Sequence, residues 1–104
     1  MKDYLIDEAS GHFATTKSRA YHEQVRLFFD CIINYLQSNG LTARILLKPG
    51  ETTDEKTKIM SSDLTEVGLE LMGACYDKWL KSHDRGKPIT DMTIFDKELA
   101  KLRK

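Results

Sequence analysis

The octapeptide GHFATTKS, residues 11 to 18, sets Gly11, Lys17 and Ser18 where a phosphate-binding loop of the form G-x-x-x-x-G-K-[ST] has its first glycine, its lysine and its hydroxyl. In such a loop, backbone N–H groups cradle the phosphates, the lysine reaches them and the hydroxyl holds Mg²⁺. Thr16 stands in the place of the second glycine. A β-branched residue takes the backbone geometry needed for close phosphate approach only under strain. Nucleotide hydrolysis also requires a parallel sheet with an acidic strand end, and the rest of the chain carries helical patterns instead. The octapeptide therefore retains only the weak anion attraction of a helix start beside a lysine.

No other residue set supplies a reaction. His12, His22 and His83 are far apart in sequence, and none has a second metal ligand three or four residues on. His83-Asp84-Arg85 has the composition of a kinase catalytic loop in the wrong order. It reads as a histidine favoured by a helix C-terminus, followed by a polar turn. There is no G-x-S-x-G elbow. Cys31 and Cys75 fall on apolar helical stripes, where a free thiol packs as a small hydrophobe. The expectation is a non-catalytic protein with no cofactor and no metal.

Three helical patterns position whatever function there is. Val25, Phe28, Phe29, Ile32, Ile33 and Leu36, with Tyr21 ahead of them, recur at spacings of three and four over residues 19–38, and Asn39-Gly40 supplies a left-handed stop. Thr15, Thr16 and Ser18 are competent N-caps for this helix. A second helix is expected from Asp63 to about His83, with Asp63 and Glu66 as a capping-box pair ahead of Leu64, Val67, Leu71, Met72, Cys75, Tyr76, Trp79 and Leu80. Trp79 lies on that stripe and is expected to be buried against the first helix. Gly86 and Pro88 break the pattern, and Thr90 or Asp91 caps a third helix carrying Met92, Phe95, Leu99 and Leu102.

Between the first two helices the period changes. Residues 42–47 are β-prone, Pro49-Gly50 is a turn signal and residues 56–60 alternate weakly, which reads as a hairpin with a long charged loop. The apolar residues before Asp7 add a short strand to the hairpin edge. The fold class is therefore α+β and helix-dominated: three main helices packed with a small antiparallel hairpin or sheet, as one globular domain over residues 1–104.

From Tyr35 to Leu71 the order helix, Asn-Gly-Leu, strand, charged loop, strand and then DLTEVGLEL resembles the recognition helix, wing and following helix of winged-helix regulators of the MarR type. The resemblance implies a nucleic-acid-binding regulator, and Lys17, Arg19, His22 and Arg26 on the front half of the first helix suit that reading. Against it stand 16 basic and 16 acidic residues, a formal net charge of zero, which gives no long-range attraction for a polyanion.

What the residues favour is a small protein-binding module, of the kind of an inhibitor such as an immunity protein or antitoxin. Blocks of opposite charge on such a protein guide its encounter with a partner. The expected partner-binding residues are Glu51, Asp54 and Glu55 of the acidic loop and Lys17, Arg19 and Arg26 of the basic front. The longest apolar runs fall well short of the roughly 20 residues that cross a bilayer, and the start has no signal-peptide core, so the expected location is the cytoplasm.

Overall fold

In the computed structural model, which describes residues 3–8, 19–48, 50–54 and 56–103, the first apolar stripe forms helix α1, Arg19–Ser38. Val25, Phe28, Phe29, Ile32, Ile33 and Leu36 are all buried on its inner face. The predicted stop is a Schellman turn. Gly40, at φ +69°, donates to the Gln37 carbonyl, while Leu41 donates to the carbonyl of Leu36, its apolar contact across the turn. The octapeptide at residues 11–18, with its expected N-caps, lies outside the described residues.

Helix α2, Glu66–Asp84, begins three residues later than the capping-box reading placed it. Thr65 is the N-cap, its Oγ1 accepting from the N–H of Gly68 at 3.1 Å. Asp63 is buried and otherwise engaged. It closes a 3-10 turn, Ser61–Asp63, by accepting from the Met60 N–H at 2.9 Å, and it accepts from Arg44 Nε at 2.6 Å. Helix α3, Thr93–Leu102, starts where Asp91 Oδ1 accepts from the Thr93 N–H and hydroxyl. Those bonds hold the Asp91 carboxyl below its ordinary range.

A small antiparallel sheet is present, formed by the expected N-terminal edge strand and the second strand of the expected hairpin, whose first strand is missing. Strand β1, Leu5–Glu8, pairs with strand β2, Lys58–Met60, with Leu5 opposite Met60 and a register shift between Leu5 and Asp7. Residues 42–47 form no strand. Thr42 makes a single bridge to Leu64, and then the side chain of Gln37 takes over the backbone: its Oε1 accepts from the N–H groups of Leu46 and Leu47, and its Nε2 donates to the Leu47 carbonyl. A side-chain amide thus satisfies groups that a hairpin ladder would have used, and curls the chain onto the end of α1.

Trp79 joins the layers. It is fully buried, edge-on to Phe28 of α1 at 6.1 Å between ring centroids and to Phe95 of α3 at 5.5 Å, and its Nε1 donates to the Asp91 carbonyl at 3.2 Å. Around it pack Leu71, Met72, Cys75 and Leu99, with Ile59 from β2. Cys31 and Cys75 are free thiols whose pKa values burial pushes up.

Replacing Trp79 with alanine removes this junction and is expected to cost about 3–5 kcal/mol in urea denaturation. The two glycines of α2 should respond in opposite directions. A Cβ at Gly68 would sit 2.5 Å from the Leu41 carbonyl oxygen, so Gly68→Ala lowers the midpoint, whereas a Cβ at Gly73 meets nothing within 4 Å and Gly73→Ala adds about 0.5–1 kcal/mol.

Candidate functional site

Of the expected partner-binding residues, the structure describes the side chains of Arg26, Glu51 and Asp54. Lys17, Glu55 and the side chain of Arg19 lie outside the described residues. Glu51 is exposed and folds back on its own turn, its Oε1 accepting from the Lys48 N–H at 2.7 Å. Asp54 is exposed too, and accepts from the Lys56 N–H at 2.8 Å as an Asx turn. Between them Thr53 is buried against α1, donating its N–H to Asp30 Oδ1 at 2.8 Å and its hydroxyl to the Arg26 carbonyl at 3.0 Å. Thr53 thereby ties the acidic loop to α1 at the Arg26 carbonyl and the Asp30 carboxylate.

A different surface is more distinctive. Large apolar side chains are exposed at Tyr4 (56%) and Leu5 (44%), next to each other in sequence and next to two clefts. One cleft, ≈ 460 Å³, lies between Tyr4 and the start of α2, with Leu64 and Leu69 as its apolar lining and Asp3 and Glu66 as its carboxylates. The other, ≈ 260 Å³, continues between β1 and α2 past Met72 and Gly73 to Tyr76 and Asp77. Tyr4 and Leu69 line both. The two clefts adjoin at these residues and follow α2 from Glu66 to Asp77, about 16 Å at the helical rise per residue, and are called the groove below. Glu66, Leu69, Gly73 and Asp77 recur at helical spacing, which brings them onto one face.

Polar bonds hold the strand wall of this groove in place. Asp3 accepts from the hydroxyls of Ser61 at 2.7 Å and Ser62 at 2.8 Å and from the Ser62 N–H at 2.8 Å. Those bonds hold its carboxyl below the ordinary value of 3.8, and protonation at lower pH releases them. At the other end the phenol of Tyr76 donates to Asp7 Oδ2 at 2.5 Å, tying β1 to α2. These positions had no sequence motif to mark them, because the partners are separated by 57 to 69 residues. The one available signal was the apolar run Tyr4-Leu5-Ile6 between charged residues, which reads as an edge strand. Among the described residues no group of three or more His, Cys, Asp or Glu side chains is placed to hold a metal ion.

Burial, with Asp7 beside it, pushes the Tyr76 phenol well above its ordinary value of 10.0, and burial with Asp96 does the same at Tyr35, whose hydroxyl donates to Asp96 Oδ1 at 2.7 Å. Both phenols stay protonated in the fold while the unfolded chain ionises above pH 10, so the unfolded state there binds fewer protons. Stability should be insensitive to these groups below pH 9 and fall as pH rises past 10; in thermal melts from pH 8 to 11, Tyr76→Phe should flatten that fall. The chain matches no family model, no curated protein and no solved structure.

Proposed function

We propose that the protein is a non-catalytic module that binds another protein through the groove between β1 and α2. The observation that carries this reading is the coincidence of two adjacent exposed apolar residues, Tyr4 and Leu5, with adjoining clefts that are lined by Leu64, Leu69 and Met72 and bordered by Glu66 and Asp77. Aromatic and apolar anchors in a depression supply binding energy, and charges at the rim govern encounter and orientation. The groove favours binding over acid–base chemistry in a further way. A carboxylate lowered by hydroxyl donors, as Asp3 is, makes a poor general base near neutral pH.

Occupation of a partner's surface is how an inhibitor of the immunity or antitoxin kind acts, and it needs no cofactor. The acidic loop stands behind the groove in this reading, because Glu51 and Asp54 direct carboxylate oxygens to their own turns. A nucleic-acid partner would use Arg19 and Arg26 instead. Against that reading, the described residues of 42–60 form no hairpin wing, since their one strand, Lys58–Met60, pairs with β1.

A photoreactive benzoylphenylalanine in place of the exposed Tyr4, which keeps an aromatic ring beside the clefts, tests the assignment in living cells. The expected result is an adduct of discrete mass containing a second polypeptide, with none from the same group at the exposed Lys97 of α3. Equal labelling at both positions would refute the groove. Nuclease-sensitive adducts that disappear in an Arg19→Ala, Arg26→Ala variant would replace it with the nucleic-acid reading.

A further inference from the structure

The groove also reveals how its occupant is held. Tyr4, Leu5 and Ile6 all line the cleft beside α2. Successive side chains of a strand point to opposite faces, so a lining that includes all three residues brings the backbone at Leu5 to the cleft. The bonding pattern agrees. Tyr4 turns both of its backbone groups toward the β2 side, donating its N–H to Ser61 Oγ at 2.9 Å and accepting from the Ser61 N–H at 2.8 Å. A residue's N–H and C=O lie on the same edge of a strand and alternate between neighbours, so those of Leu5 face outward, along the groove. Beyond Leu5 the register shift and the Tyr76–Asp7 bond end the regular edge.

We propose that this edge accepts a strand: an extended segment of a partner protein, with alternating apolar side chains and a basic residue toward each end, adds to β1 opposite residues 3–6. The inference rests on the reading of the groove as the binding face. Four residues of strand span about 13 Å, which fits within the groove. The added strand's inward side chains pack on Leu64, Leu69 and Met72, and its basic residues meet Glu66 at one end and Asp77 at the other. Gly73 has no internal packing reason to lack a side chain, unlike Gly68, and it leaves room beneath the incoming backbone. A two-stranded sheet is marginal alone, and a third strand over α2 completes the common arrangement of sheet on helix.

The probe is a displayed library of random nine-residue peptides, panned on the whole chain and counter-selected against Gly73→Arg. A selected peptide is then made with N-methyl groups on one alternate set of its amides or on the other. The expected result is that one set weakens binding by about tenfold or more, the scale of one to two lost backbone hydrogen bonds, while the other set has little effect. Leu5→Pro, which deletes the outward N–H and leaves the Tyr4–Ser61 bonds, should lose binding to a similar extent at an unchanged melting temperature, whereas Leu5→Ala should lose less. A peptide indifferent to both N-methyl sets overturns strand addition while leaving the groove as a docking face, and it does so whether or not Leu5→Pro folds. Recovery of no peptide sensitive to Gly73→Arg overturns strand addition and the groove reading together.

Discussion

The carbonyl group of Leu41 is the point on which the arrangement of helices turns. Leu41 is buried at the end of the Schellman turn that closes α1, and its carbonyl oxygen accepts from the N–H of Thr65 at 2.9 Å and from the Thr65 hydroxyl at 3.2 Å. Thr65 is also the N-cap of α2. Leu41 therefore ends the first helix through its N–H and locates the start of the second through its carbonyl oxygen, and the backbone of α2 approaches that oxygen so closely at Gly68 that no side-chain carbon fits. The direction in which α2 leaves this junction decides where Trp79, four turns along, meets α1 and α3.

The same junction shapes the groove. Leu64 bridges to Thr42 immediately before the cap, and the 3-10 turn ahead of it presents Ser61 and Ser62 to Asp3. Arg44, from the segment that follows Leu41, bonds the buried Asp63 of that turn. A carboxylate so enclosed requires such partners, since an unpaired charge in that position would be strongly unfavourable. The N-terminal strand is consequently attached to a turn that is itself fixed between two helices, and β1 is a firm wall for the groove despite contributing mainly Ile6 to the apolar packing.

Electrostatics within the molecule are arranged mostly for positioning. Glu51, Asp54, Asp63 and Asp91 each accept from a nearby backbone N–H. Charges engaged in this way specify turns. By contrast Glu66 and Asp77 stand at the groove with α2 between them, where complementary charges on a partner could orient it. This distinction separates the acidic loop, conspicuous in composition, from the quieter carboxylates that border an apolar depression.

The three helices, the glycine stop of α1, the burial of Trp79 and the helix-dominated α+β class were all legible in the order of the amino acids. Those features arise from periodicity and turn chemistry, which act over a few residues and are written in order along the chain. The N-terminal edge strand was legible too, but the loss of the first hairpin strand was settled only by tertiary packing. Residues 42–47 have the composition of a strand, but the amide of Gln37 captures their backbone, and β2 finds its partner at the far N-terminal end, in β1. Packing also made the groove, since Asp3 with Ser61 and Ser62, and Asp7 with Tyr76, become neighbours only after the helices have come together. Local spacing reports the elements because their hydrogen bonds are local; it is silent on a site whose walls are joined by hydrogen bonds across most of the chain's length.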